Sequence, residues 1–493
     1  MGKRTPSVNT GSRGYSTHQE KGLSVVSTSH TTTERRETVE SETQSDTNDV
    51  IETESMSSVS SIRVGQFPHP PQERPSVLGS KSSEGFLNLF GFLVLIWSAH
   101  DMYTMYQKEG VLIDFTLLKS MLIGIEYLMA YWLAIVLFTT LVSVGIEFFL
   151  VTLSQKKRIS EFVDVMFCTM YGLAQLVLFV VPTVVVFTTN DLSALCRAAL
   201  ACQIVVNSFK MHSYFITNRY FREEIVYSGK YKQNNNKLIF NNQYEKTRMN
   251  FQSKSKLLLG LLEEYITFVR IPSLVFEIEF PRTKSINYAY VAQEYGGGLL
   301  ICLCMYLIIQ RFISPQLEKI TTYDWYEIMI HLTVPSLIIW MMLFYCVFHS
   351  FMNGTAELVR YADREFYLDW WNATSVSQYW KLWNRPVFKF MSRHIYVESM
   401  RRVKGFNRVL AALSTFFVTA ILHEFVLIIT FKVFRVYFFS MVIAQIPLFY
   451  VTEKLSGTRL GNVFLWFGFT LCFPTMEFLY FRSALLERGA ENF

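Results

Sequence analysis

The chain has 493 residues, of which 51% are hydrophobic and 17% charged, with a formal net charge of +6 at pH 7. That content is too apolar, over too great a length, for one ordinary soluble domain. A small positive balance says little by itself, because placement matters more than the sum, and no nucleic-acid partner is expected.

Residues 1–84 are rich in Ser, Thr, Glu and Arg, as in "TSHTTTERRETVESETQSDTND", with no sustained apolar period. Such a segment cannot bury enough surface to offset its ordering entropy, so a disordered tail is expected. The first apolar run begins near Phe86, and the polar start before it has no signal-peptide pattern. From there the apolar residues gather into runs of about 20, the length that crosses a hydrocarbon core of roughly 30 Å. Spans are expected near 86–108, 121–152, 163–187, 191–210, 290–311, 327–351, 408–430, 434–452 and 461–482. The reading is an all-α polytopic membrane protein with about nine transmembrane helices, its membrane domain covering 85–485 and a short C-terminal tail 486–493.

Basic residues give the orientation. "SQKKRIS" (154–160), the 211–289 connection, 352–407 and "EKLSGTR" (453–459) hold most of the Lys and Arg. The opposite connections, "TTND" (188–191) and "SPQLEKITTYDWYE" (314–327), are poor in them, with "FKVFR" (431–435) the exception. The positive-inside rule then places the N-terminus in the cytosol and, after an odd number of spans, the C-terminus in the lumen. The glycosylation triplets at Asn353 and Asn372 fall on the cytosolic side and are discounted.

Two connections are too long to be mere links. In the first, "KLLLGLLEEYITFV" (256–269) has apolar residues at helical spacing and is expected to lie on the membrane surface. The second contains "REFYLDWWN" (364–372) and "YWKLWNRPVFKFMSRHIY" (379–396), where aromatic and basic residues interleave. Cations flanked by rings suit a ligand with phosphates and an aromatic base, but composition alone favours contact with anionic lipid headgroups.

Ionisable side chains inside a span mark function by default. "TFFVTAILHEFVLIIT" places His423 and Glu424 in an otherwise apolar run. A buried neutral imidazole is available as a base, and the bland alternative is a histidine bonded between helices. Glu424 projects about 100° away from it on a helix. His331 and His349 have no comparable partner segment and are read as structural. The seven cysteines, Cys168, Cys196, Cys202, Cys302, Cys304, Cys346 and Cys472, form no CxxC pair and are read as packing residues. P-loop, GxSxG, HExxH and GxGxxG patterns are absent, which removes the ATPase, serine hydrolase, zincin and dinucleotide classes.

"FYLDWWN" (366–372), "WNRPV" (383–387) and "LHEF" (422–425), in that order, resemble the membrane-bound O-acyltransferases. "NGTAELVRYADREFY" (353–367) and "FPRTKSI" (280–286) extend the likeness to the branch of sterol and diacylglycerol O-acyltransferases. The resemblance implies helices enclosing an intramembrane catalytic chamber, His423 as the catalytic base and Asn384 as the second polar active-site group. It implies that acyl-CoA is a co-substrate entering from the cytosol past Tyr367, Asp369, Trp370, Trp371 and Asn372, with no further cofactor and no metal. Trp383, Lys389, Arg393, Tyr396, Thr419, Glu424 and Gln445 complete the expected substrate-binding set. It also implies an endoplasmic-reticulum membrane protein that forms a dimer or tetramer.

For the acceptor, "KMHSYFITN" (210–218), "IEFPRTKSINYAYV" (278–291) and "HEFVLIITFKVFR" resemble the sterol-esterifying branch, especially its fungal-type members. "LFYCVFHSFMNGTAEL" (343–358) and "AQIPL" resemble the diacylglycerol branch, whose usual GQP element is replaced here by "CFPTM" (472–476). A sterol acceptor, giving steryl esters, is the first expectation and diacylglycerol the alternative. A non-catalytic lipid transporter is the remote one; no internal repeat of the kind it would use is visible.

Overall fold

The computed structural model describes residues 115–155, 161–228 and 253–491, with residues 96, 99–100, 102–107 and 110 ahead of them. The expected tail 1–84 and most of the first expected span lie outside the described residues. Among the described residues all regular elements are helices; an isolated antiparallel bridge joins Arg282 and Tyr361.

The long elements are α1 (Ile125–Gln155), α2 (Glu161–Thr188) and α3 (Ala194–Ser228), followed by α4 (Lys254–Arg270) and α5 (Tyr288–Ile308). Then come α6 (Trp325–Phe344), the short α7 (Val376–Leu382) and α8 (Arg385–Phe390), and finally α9 (Arg408–Phe431), α10 (Tyr437–Lys454) and α11 (Arg459–Glu491). Helix is the economical solution in hydrocarbon, because it satisfies every backbone group within one segment. Hydroxyls follow the same rule: Thr139 donates to the Ile135 carbonyl at 2.9 Å and Thr152 to that of Phe148 at 2.7 Å.

Among the described residues, six helices are long and apolar enough to cross a membrane: Thr116–Ser154, Glu161–Thr188, Tyr288–Glu318, Trp325–Leu358, Arg408–Phe431 and Arg459–Glu487. Two more of the nine expected spans are helices that fall short of that standard. The segment expected at 191–210 is the first part of α3, a 35-residue helix. It carries buried Arg197, Lys210 and Arg222, which lower its hydropathy. Leu200, Ala201, Ile204 and Met211 on α3 are fully enclosed, so it is an internal post. The segment expected at 434–452 is α10, only 18 residues long.

The surface helix expected at 256–269 is α4; one apolar stripe meets protein, while Leu258 and Leu259 stay exposed. Leu257, Leu261, Tyr265 and Phe268 are buried against Val144, Val151 and Tyr214 of α1 and α3. The buried Lys210 ammonium donates to the carbonyls of Phe268, Val269 and Ile271 at 2.8, 3.0 and 2.7 Å, capping the C-terminal end of α4.

The α6 rod continues through a wide turn, Tyr345–Phe351, and a last helical piece, Met352–Leu358. The chain then crosses a non-helical stretch in which Arg364 and Glu357, almost fully buried, pair at 2.5 Å. Trp370 follows, with no exposed surface. Its ring is packed by Trp340, Phe344, Trp371, Tyr379 and Trp466. The α10–α11 turn closes over this stretch: Asn462 donates to the carbonyls of Trp371 and Ala373 at 2.9 and 2.8 Å. Gly461 lies so close to the Thr374 carbonyl that a side chain there would collide with it. Removing the central ring should destabilise the fold by about 3–5 kcal/mol, the usual loss for a buried aromatic. Trp370→Ala is therefore expected to unfold at clearly lower temperature than the purified parent chain, whereas a change at exposed Tyr450 should not.

Candidate active site

The site grows from α9, which is held at both ends. At its start Asn407 accepts from the Leu410 amide at 2.9 Å. At its end the buried Arg197 donates to the Thr430 carbonyl at 2.8 Å. Lys432 then takes a left-handed turn (φ 58°) and its ammonium reaches Thr189 and Asn190. His423 sits in the second half of this fixed rod.

The His423 ring nitrogen Nδ1 is 2.8 Å from the Thr419 carbonyl oxygen. A carbonyl only accepts, so Nδ1 carries the proton and Nε2 keeps its lone pair. The ring lies flat on Phe438 of α10, with centroids 5.0 Å apart and planes 12° apart, and it has open surface. It is oriented, in one tautomer, and reachable. Thr419, expected to touch substrate, instead acts through its carbonyl on the ring.

Glu424 goes the other way. It is buried and accepts from the Phe439 amide at 2.7 Å and from the Tyr480 hydroxyl. It ties α9 to α10 and α11, so both of its carboxylate oxygens have protein partners.

Asn384 caps α8, its side-chain oxygen accepting from the Val387 amide at 3.1 Å. That bond identifies the oxygen and leaves the amide NH2 without a partner among the described residues. The backbone on either side of Asn384 is pinned by the aromatic stretch. Leu368 donates to the Leu382 carbonyl at 2.9 Å, and Arg385 donates to that of Phe366 at 3.0 Å. Arg385 also pairs with Glu365 at 2.8 Å. Trp383 stacks on Trp340 and Tyr379. The "FYLDWWN" stretch is thus a splint for Asn384. Val387 of α8 shares one apolar cluster with Val418 and Leu422 of α9.

The other expected contacts divide. Trp370 is enclosed and cannot meet a ligand, and Trp371 is half-buried with its carbonyl held by Asn462 and Trp466. The Tyr367 hydroxyl bonds His349 Nδ1 at 2.7 Å. Asp369 and Asn372 are exposed. Lys389 pairs with Asp363 at 3.0 Å and Arg393 with Glu277, so both cations expected to hold phosphate already face carboxylates. Tyr396 is half-buried without a hydrogen bond among the described residues. Gln445 lies on α10 between Ile443 and Ile446. Those two residues, with Leu413, Ser414, Phe416 and Phe417 of α9, line an apolar cavity of about 290 Å³. Phe416 precedes His423 by two helical turns, so the cavity and the imidazole share a face of α9, roughly 10 Å apart along its axis.

Sequence reading missed the buried contact that anchors the helix turn after α8. His394 Nε2 is 2.8 Å from the Ser213 hydroxyl, which also accepts from the Phe276 amide. The partners are far apart in the chain, and nothing in either segment marks them as a pair. Burial, helped by Arg393 and His212, holds the His394 pKa well below its ordinary value, so the ring is neutral in the fold.

Residues 262–482, just under half of the chain, match the family model of the membrane-bound O-acyltransferases. Among curated relatives, diacylglycerol O-acyltransferase 1 of Dictyostelium discoideum is 29% identical over 431 residues, 84% of this chain and 65% of the relative. Diacylglycerol O-acyltransferase 1 of Corylus americana is 35% identical over 233 residues, 45% of this chain and 43% of the relative. That of Arabidopsis thaliana is 33% identical over 240 residues, 46% of each chain. The chain thus spans less than half the length of two of these relatives and just under two thirds of the third.

Two outcomes follow. Asn384→Asp keeps a capping oxygen but loses the NH2 donor, so it should retain the parent's thermal stability while losing a donor's share of rate, about 10²–10³-fold; equal rates would show that the cap alone matters. For His394, the unfolded chain takes up a proton below about pH 6.5 while the folded ring resists it. Its contribution to stability is present above that pH and lost as the pH falls. Melting temperature should drop from about pH 7 to about pH 5, and His394→Gln should flatten that slope.

Proposed function

We propose that the chain is an acyl-CoA-dependent O-acyltransferase, an enzyme of the bilayer that esterifies a lipid alcohol, with diacylglycerol as the acceptor. The observation that carries the reading is the Thr419 carbonyl on His423 Nδ1, which leaves Nε2 as a base on an accessible ring, on the helix face that also lines the apolar cavity. In the reaction, Nε2 takes the hydroxyl proton while the alcohol oxygen attacks the thioester carbonyl carbon. The free NH2 of Asn384 donates to the developing oxyanion. The carbon–sulfur bond breaks, the imidazolium returns its proton to the departing thiolate, and ester and free coenzyme A result. The acyl group passes directly from thioester to alcohol, so no covalent enzyme intermediate is involved.

Diacylglycerol replaces the sterol expected first for two reasons. The three relatives described above bear the name diacylglycerol O-acyltransferase 1. Part of the sterol likeness rested on "KMHSYFITN", whose Lys210 caps α4, whose His212 bonds Tyr171 at 2.6 Å and whose Ser213 bonds His394. Buried struts of this kind say nothing about the acceptor. An endoplasmic-reticulum location, a cytosolic N-terminus, a luminal C-terminus and a homo-oligomer remain part of the proposal, on the family likeness and the distribution of Lys and Arg.

The test is reconstitution of the purified chain with labelled oleoyl-CoA and either a diacylglycerol or a sterol. Labelled triacylglycerol is expected. Steryl ester alone would overturn the acceptor, and no ester from any lipid alcohol would overturn the activity. His423→Ala should lower turnover about 10²–10⁴-fold, the usual share of a general base, with oleoyl-CoA binding retained.

A further inference from the structure

We propose that Arg282, Lys284 and Arg360 form a phosphate-binding clip at the membrane surface. The clip is built where two short extended stretches meet. Arg282 and Tyr361 form an antiparallel bridge, the Thr283 amide donates to the Arg360 carbonyl at 2.9 Å, and the Ala362 amide donates to that of Pro281 at 2.9 Å. One stretch leads into α5 and the other leaves the end of the α6 rod at Leu358, both candidate spans. The junction therefore lies at two span ends, where headgroups and water are.

The charge balance points to an anion. Four cations of the neighbouring 364–393 segment have a carboxylate: Arg364 has Glu357, Arg385 has Glu365, Lys389 has Asp363 and Arg393 has Glu277, whereas exposed Lys381 has none among the described residues. Arg282, Lys284 and Arg360 are all exposed and have no such partner among the described residues. Arg360 is further arranged in two ways. Its backbone adopts a left-handed conformation (φ 60°), which a non-glycine residue holds only when surroundings enforce it. Its Nε and one terminal nitrogen both donate to the Thr283 carbonyl, at 2.9 and 2.7 Å, which fixes the guanidinium plane and leaves the other terminal nitrogen open. A fixed guanidinium beside two further cations suits the doubly charged oxygens of a phosphate group. Two sources share that chemistry: the phosphates of the co-substrate acyl-CoA, which rests on the function proposed above, and the headgroup of an acidic phospholipid, which does not.

Two full-length variants test the clip. Arg360→Gly removes the guanidinium and accepts the left-handed turn, whereas Arg282→Gln/Lys284→Gln leaves the Arg360 contacts in place. In phosphatidylcholine nanodiscs, equilibrium binding of labelled oleoyl-CoA is measured; in matched discs, energy transfer from protein tryptophan to fluorescent phosphatidic acid is measured. Losing a charge-assisted contact should weaken binding about tenfold in one of the two arms, and the arm that responds names the source. Parent affinity in both arms for the double variant, at parent melting temperature, would overturn the clip. Neither readout needs ester formation, so a parent chain that makes no ester fails the proposed activity while leaving the clip to stand or fall separately.

Discussion

Two main-chain hydrogen bonds, from Leu368 to Leu382 and from Arg385 to Phe366, are the constraint on which the site depends. They lock the carbonyl two residues before Asn384 and the amide one residue after it, so that its side chain has no freedom beyond its own rotation. The cap to Val387 removes that freedom too. The aromatic stretch can do this only because Trp370 is enclosed by rings from α6, α7 and α11, which fix the strip bearing Phe366 and Leu368. In the reaction proposed above, Asn384 meets a charge that exists only in the transition state, so it has to be in place beforehand, and a rigid aromatic core provides that where a loop would not.

His423 follows the same logic with different parts. A helix interior offers one spare acceptor to a histidine side chain, the carbonyl one turn earlier, and Thr419 supplies it. In hydrocarbon that contact also satisfies a donor that water cannot reach. Satisfying one nitrogen therefore sets the chemistry of the other. The neighbouring Glu424 is satisfied by Phe439 and Tyr480 and pulls three helices together around the imidazole. Adjacent residues on one helix thus differ, His423 keeping open surface and Glu424 bracing the frame.

Much of this was legible in the sequence and some was not, for identifiable reasons. The long apolar helices could be read from composition. The reading failed where an amphipathic or charged pattern had two possible partners. The stripe of α4 fits lipid as well as protein, and only the placement of Val144, Val151 and Tyr214 decides for protein. The charges of α3 look like the end of a span, but each finds a long-range partner that no local pattern announces, as Arg197 finds Thr430. Between 364 and 396 residue type does not tell which side chains face inward: Trp370 is enclosed, whereas Asp369 and Asn372 are exposed.

The cations of that region show why composition alone misassigns a binding surface. Lys389 and Arg393 drew attention through their aromatic neighbours, yet each is opposed by a carboxylate that lies 26 or more residues away in the chain. An ion pair of this kind adds rigidity and removes the net field that would attract a phosphate. Arg282 and Lys284, in a stretch without conspicuous rings, keep theirs. The field that an incoming anion meets is therefore displaced from the motif to the two-stranded junction beside it, and Asp363 links the two regions, one residue beyond the Ala362 bond and paired with Lys389. The paired cations hold the splint in shape, and the unpaired ones face outward.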